Sequence, residues 1–349
     1  MLAATYTQGG KLRLEDVPIP EIQEDEMLVR VQASSICGTD LRVLQHGHHK
    51  LKPDQKIVLG HEFSGTIEAV GKGVQNYEMG QRVGIAPNIG CGHCDQCIEG
   101  RANMCAGYSA FGISFDGAHA EFVRVPAPAI SQGNVMPLPD GVSFEEAALN
   151  EPFSCVINGN AACRIRLGEK VLIFGAGPIG LLHLMLARLS GAGAVVVSDV
   201  IDERLEKAKM LGADHVINPQ TVSLEEAISD LTRGRGVDVI VTACPIHSVQ
   251  EQSLALAAPF GRICFFGGLP RQHPEITINS NLIHYRNLIV TGVTGGSNMN
   301  YRTGLKLLAS KKVDLMQIVS AAYSLSHAQE AFQVALTGKA MKIILKPQE

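Results

Sequence analysis

The sequence predicts an α/β protein of two domains, one β-rich and one built on a doubly wound parallel sheet. Three observations carry this reading. The chain has 349 residues, and domains commonly run to roughly 100–200 residues. Short strands bounded by glycine and proline fill the first half. After residue 150, short apolar runs alternate with helical stretches, the pattern of a parallel sheet covered on both faces.

The elements follow in order. Met27–Ala33 alternates in part, as a half-buried strand does. Ser64–Gly71 and Gly80–Ile85 are short strands marked by glycine, and Glu121–Val125 is stopped by Pro126 and Pro128. Lys170–Phe174 is an apolar run that ends at Gly175. A helix is expected over Ile179–Leu189, a strand over Ala194–Val197, a charged helix over Glu203–Leu211 and a strand over His215–Ile217. Val237–Val241, Arg262–Phe266 and Asn287–Gly292 continue the series. The tail from about 295 carries a helix, Tyr301–Ser310, and a last strand, Met341–Leu345.

Composition excludes several classes. Hydrophobic residues make up 46% and charged residues 18%, so the chain is not disordered. Thirty Lys and Arg against 34 Asp and Glu give a net charge of -4, which disfavours a nucleic-acid partner. No run of about 18 apolar residues predicts a membrane span. The start, MLAATYTQGGKLRLEDVPIP, shows no secretory pattern. Nine cysteines are an odd number for a disulfide framework. The expectation is a soluble, cytoplasmic protein whose cysteines are thiols or metal ligands.

Gly175-Ala176-Gly177-Pro178-Ile179-Gly180 follows a predicted strand and opens a predicted helix. That is GxGxxG in the setting a dinucleotide site requires. The first glycine permits a tight turn, the second lets backbone approach a pyrophosphate, and the third allows close helix–strand packing. The helix N-terminus then offers free N–H groups to phosphate. Asp199 ends the next strand, where its carboxylate can accept ribose hydroxyls and repel a 2′-phosphate. NAD is therefore expected over NADP. Arg204, five residues further on, is ordinarily a solvated helix residue, but its charge keeps NADP open.

Cys91, Cys94, Cys97 and Cys105 form C-x2-C-x2-C-x7-C. Four thiolates at such spacing fit a tetrahedral structural zinc. An iron–sulfur cluster stays open on spacing alone. Cys37, in Cys37-Gly38-Thr39-Asp40, His61 and Glu62, in Gly60-His61-Glu62, and Glu151, before Pro152, each have an ordinary structural explanation taken singly.

Together they carry a resemblance. Gly60-His61-Glu62-Phe63-Ser64-Gly65, Gly71 and Val74 reproduce GHExxGx5GxxV. This resembles the signature of the zinc-dependent medium-chain alcohol dehydrogenases. The cysteine lobe at 90–106 and the turn at 175–180 match that family's structural-zinc lobe and coenzyme turn, in the right order. Cys37-Gly38-Thr39-Asp40 and Asn150-Glu151-Pro152 look closest to its sorbitol, polyol-phosphate and threonine dehydrogenase branch.

The resemblance implies a Rossmann coenzyme domain, residues 151–294, inserted in a β-rich GroES-like catalytic domain, residues 1–150 and 295–349, with the active site in the cleft. It implies two zinc ions per chain. The catalytic one would be held by Cys37, His61 and either Glu62 or Glu151, and the structural one by the four cysteines. Thr39 would relay the substrate proton while hydride passes to NAD. The family often has histidine where this chain has Arg42, so a histidine relay is not expected there. His46, His48 and His49 read as a polar loop near the site.

Polyol members place Arg-Tyr where this chain has Gly295-Gly296-Ser297-Asn298. These small residues leave room for a larger or phosphorylated polyol, and Ser297 and Asn298 could bond its hydroxyls. The implied reaction is oxidation of a secondary hydroxyl in a sugar alcohol or its phosphate. Threonine or a simple secondary alcohol is the alternative substrate, and a non-catalytic NAD-binding redox sensor is the alternative class. The implied partners are the small-molecule substrate and further copies of the chain, as homodimers or homotetramers. The apolar strand Asn287–Gly292 is the candidate pairing edge.

Overall fold

The computed structural model describes all 349 residues. Two units divide the chain: Met1–Ser154 with Gly296–Glu349, and Cys155–Gly295. The change of sequence pattern near 150 is not a chain break. The helix Phe144–Cys163 runs straight across the division and contains Pro152. The side chain of Ser154 bonds back to the Glu151 carbonyl at 2.6 Å beside that proline.

The first unit is built on a seven-stranded sheet. Its path runs Val135–Pro137, Arg82–Ile85, Glu62–Val70, Met27–Ser35, Lys342–Lys346, Val319–Ser324, and Phe122–Val125 also pairs with Met27–Ser35. Met27–Ser35 is a central strand whose Val29, Val31, Ala33, Ser34 and Ser35 are buried. Its register decides where the chemistry falls. Ser35 pairs with Glu62 on one side and with Ile344 on the other. Three segments far apart in sequence therefore meet at one end of the sheet: Cys37 just past one strand, His61 just before the second, and Lys342 opening the third.

The second unit is a six-stranded, wholly parallel sheet. The strands lie in the order His215–Ile217, Ala194–Ser198, Lys170–Phe174, Val237–Thr242, Ala257–Phe265, Ile289–Gly292. Numbered along the chain this is 3-2-1-4-5-6, the doubly wound order with its switch point beside the first strand. Leu172, Val196, Val237, Ile240 and Ile263 form its core. Ile289–Gly292 is the edge strand, with Ile289 52% exposed. No helix in the chain is long and apolar enough to cross a membrane.

The predicted helix Tyr301–Ser310 begins earlier, at Asn298. Ser297 and Asn300 form a reciprocal capping box that extends its first turn.

His183, on the helix Pro178–Leu189, is a buried histidine packed edge-on to Phe266, with ring centres 4.6 Å apart. A Cβ on Gly159 would stand 2.9 Å from its ring, so the surroundings are tight. Burial pushes its pKa down to about 3. An unfolded histidine titrates near about 6.5, so the unfolded chain takes the proton first. The residue's contribution to stability is whole above that pH and declines as pH falls toward the folded value. Between pH 7.5 and 5.5 the native protein should lose about 1 kcal/mol more than His183→Leu, read from urea midpoints. Identical acid dependence in the two proteins would refute this account.

Candidate metal and coenzyme sites

Cys37 precedes the helix Gly38–His46, and its backbone N–H donates to Asp40 Oδ2 at 2.9 Å. The ligand atoms of Cys37, His61 and Glu62 all lie within 4.8 Å of one another. Asp40 is buried behind them, its Oδ1 3.5 Å from His61 Nδ1. With Nδ1 turned to Asp40, Nε2 is the ring nitrogen left to bind a metal. Burial would raise the Asp40 pKa, but His61 and His119 hold it well below the usual carboxylate range. Burial likewise opposes charge on His61, yet Cys37 and Asp40 carry its pKa well above the ordinary histidine value. A metal arriving at this trio must displace a proton.

Glu62 is fully buried. Its Oε2 pairs with Lys342 Nζ, which also donates to the Ile36 carbonyl at 2.9 Å. Burial would lower the Lys342 pKa, but Glu62 and Cys37 keep it above its ordinary value. Oε1 of Glu62 is buried with no hydrogen-bond partner. An orphaned carboxylate oxygen beside a thiol and an imidazole suits a cation. Glu151 is also buried, and its charge reaches Lys342, but it lies outside the trio.

Thr39 stands on the first turn of the same helix. Its Oγ1 accepts from Arg42 Nη2 at 3.0 Å, a side-chain partner rather than a backbone one. The His48 and His49 rings pack 4.4 Å apart in the following loop. Gln8 holds that loop through both the N–H and the carbonyl of His48.

The second cluster brings together all four predicted cysteines, Cys91, Cys94, Cys97 and Cys105. Zn–S bonds near about 2.3 Å at tetrahedral angles require sulfurs about 3.8 Å apart. Cys94 and Cys97 are at 3.6 Å, and Cys91 and Cys97 at 4.0 Å. A Cβ on Gly90 would overlap the Cys97 sulfur, so the lobe needs glycine there. Backbone N–H groups of His93 and Cys94 draw the Cys91 thiol down to about 6. His93 itself is turned away, with Nδ1 at 2.9 Å from the Cys91 carbonyl.

The coenzyme turn in the second unit follows the strand Lys170–Phe174. Gly175 has φ +95°, and a Cβ on Gly180 would overlap the Gly175 carbonyl oxygen. Gly177 caps the helix, and Pro178 and Ile179 open it. A Cβ on Gly177 would meet nothing closer than Arg204 Nη1 at 3.9 Å. The chain thus leaves the space before that helix end unfilled. Asp199 Oδ2 accepts from Ala176 N–H at 2.6 Å, and Oδ1 accepts from Ile201 N–H at 3.0 Å. Arg204 is not a solvated helix residue: its Nη1 lies 3.9 Å from Asp199 and its side chain is only 23% exposed.

Ser297 and Asn298 are engaged by the fold. Ser297 is bound into the cap with Asn300, and Asn298 donates to the Gln132 carbonyl at 2.9 Å and to Asn134 at 3.2 Å. Conversely, Asp40, His119 and Lys342 carry no role in the sequence reading. Asp40 was legible as part of the Cys37 motif, whereas nothing local marks Lys342.

A β-rich unit with two sulfur-containing ligand clusters, and a doubly wound unit with a glycine phosphate turn, define a zinc-containing dehydrogenase. Comparison with known proteins agrees. Residues 23–140 match the alcohol dehydrogenase GroES-like domain, and residues 178–310 match the zinc-binding dehydrogenase domain. The sorbitol dehydrogenase of Bacillus subtilis is 35% identical over 99% of this chain and 97% of its own. The L-threonine 3-dehydrogenase of Pyrococcus horikoshii is 35% identical over 99% and 98%. The crystal structure of a zinc-binding dehydrogenase from Sinorhizobium meliloti, bound to NADP, superposes with TM-score 0.91 at 31% identity, covering 99% of each chain. The chain belongs to the zinc-dependent medium-chain alcohol dehydrogenase family, in the branch of the polyol and threonine enzymes.

The Glu62–Lys342 pair yields a stability prediction. In metal-free protein, Lys342→Met leaves a buried carboxylate unpaired and should cost about 3–5 kcal/mol in urea unfolding. Adding Glu62→Gln should recover most of the loss. A single-variant cost under about 1 kcal/mol would mean that the pair is not needed.

Proposed function

We propose that the chain oxidises a secondary hydroxyl of a sugar alcohol or polyol phosphate to the ketose, with NAD as hydride acceptor. The observation that carries this is the Cys37–His61–Glu62 trio with its unpartnered Glu62 oxygen. The Cys37 thiolate, His61 imidazole and Glu62 carboxylate would hold a zinc ion through three protein ligands, the number typical of catalytic zinc sites. A zinc ion held there supplies a Lewis-acid centre that lowers the pKa of a substrate hydroxyl. Glu62 is the third protein ligand in this reading, and Glu151 the nearby carboxylate able to replace it. The four cysteines hold a second, structural zinc, making two per chain.

Asp40 orients His61, and Lys342 neutralises one oxygen of Glu62. Thr39 takes the substrate proton on one lone pair and passes its own onward. Arg42 occupies the other lone pair, which orients the hydroxyl. Arginine does not titrate in the working range, so this relay has no histidine-like limb. The Gly175–Gly180 turn would hold the NAD pyrophosphate, with Gly177 leaving room for it and the Asp199 carboxylate disfavouring a 2′-phosphate. Arg204 beside Asp199 is the feature that favours NADP, and the kinetic panel below decides between them.

The 35% identity to a threonine dehydrogenase supports a second substrate reading, an amino-acid β-hydroxyl. The exposed edge strand Ile289–Gly292 supports assembly into homodimers or homotetramers. Nine free cysteines favour the reducing cytoplasm as its compartment.

Steady-state kinetics with polyols, polyol phosphates, threonine and 2-butanol, each with NAD and NADP, test the proposal. The highest kcat/KM should fall on a polyol or its phosphate with NAD. Turnover of threonine alone, or of 2-butanol alone, would replace the polyol reading. Thr39→Val should lower kcat about 100-fold while metal analysis still finds two zinc ions. Wild-type kcat in that variant would remove Thr39 from the relay.

A further inference from the structure

A buried hydrogen-bonded line stands behind the trio. Ser34 Oγ is 2.9 Å from His119 Nδ1, and His119 Nε2 is 3.4 Å from Asp40 Oδ2. Asp40 in turn holds the Cys37 N–H and faces His61 Nδ1. Ser34, His119, Asp40 and His61 are all buried. A carboxylate only accepts, so His119 donates from Nε2, and Ser34 Oγ is the partner of Nδ1. Both ring nitrogens therefore have a partner.

The ring is also fixed by packing. A Cβ on Gly60 would stand 2.7 Å from it, and Phe332 meets it edge-on at 5.6 Å. Gly60 has φ +99° and directly precedes His61. The His119 N–H donates to the Leu59 carbonyl at 2.9 Å. His119 thus supports the His61 segment twice, through Asp40 and through the bare backbone at Gly60.

We propose that His119 is a positioning residue for the metal centre, setting His61 and Cys37 through Asp40. This rests on the reading that Cys37, His61 and Glu62 bind a metal. Partners that orient a metal-bound histidine commonly change metal affinity by about 10–100-fold. His119 acts one bond further out, so the lower end of that range is expected.

The test uses full-length protein with cobalt(II) at the trio and zinc at the four cysteines. His119→Phe keeps a ring and removes both hydrogen bonds, and His119→Gln keeps an N–H donor toward Asp40. Chelator competition should show the trio's metal held about tenfold more weakly in the Phe variant, with shifted cobalt absorption bands. The Gln variant should recover most of both, while zinc at the four cysteines stays bound in each. Wild-type affinity and bands in the Phe variant would overturn the proposal and leave His119 a core filler. If the Phe variant does not fold, Ser34→Ala removes only the hydroxyl that bonds His119 Nδ1. A weakened, band-shifted centre there supports the line, and an unchanged one overturns it. Failure of the wild type to bind cobalt at the trio would instead overturn the metal reading on which the proposal stands.

Discussion

The buried carboxylate of Glu62 is the constraint on which the first unit depends. A charge removed from water costs several kcal/mol unless it is paired and hydrogen-bonded. Lys342 supplies the pair for one oxygen, and it comes from the last strand of the chain. That strand reaches Glu62 only because Ile344 pairs with Ser35 and Ser35 pairs with Glu62. Slipping either register by one residue would turn every side chain to the opposite face. Fold and site are therefore one problem: the pairing that closes the sheet also neutralises the carboxylate.

The same end of the sheet explains the layered build of the site. Cys37 and His61 offer metal-binding atoms, Asp40 bonds the backbone of one and faces the ring of the other, His119 bonds Asp40, and Ser34 bonds His119. Each layer satisfies polar groups that burial would otherwise leave unpaired. Two site atoms stay without a hydrogen bond, His61 Nδ1, which only faces Asp40, and Glu62 Oε1. Of the two, the orphaned anionic oxygen is the stronger local argument for a cation. The coenzyme turn reaches a comparable end by different means. Sterics at Gly180 and positive φ at Gly175 shape the backbone, and Asp199 ties down the Ala176 N–H.

Much of this was legible before any coordinates. The four cysteines, the GHE segment and the glycine turn are local motifs, with their residues close enough in sequence for spacing to report geometry. The alternating strands and helices of the second half likewise predicted a doubly wound sheet. What failed to show was long-range. Lys342 is an ordinary lysine at the start of a strand until Glu62 stands beside it. Ser297 and Asn298 looked available to a substrate because their partners, Asn300, Gln132 and Asn134, were not visible as partners. Arg204 looked solvated for the same reason.

The sequence by itself determined the family, the two ligand sets as candidates, the coenzyme turn and the parallel sheet. Each rests on neighbours within one turn or one motif. Only the tertiary structure brings the ligand atoms of Glu62 within 4.8 Å of those of Cys37 and His61, and sets Lys342 beside it. It also decided that Asp40 and His119 form the layers behind. The physical reason is that burial creates the need for a partner, and only the folded register decides which distant residue meets it.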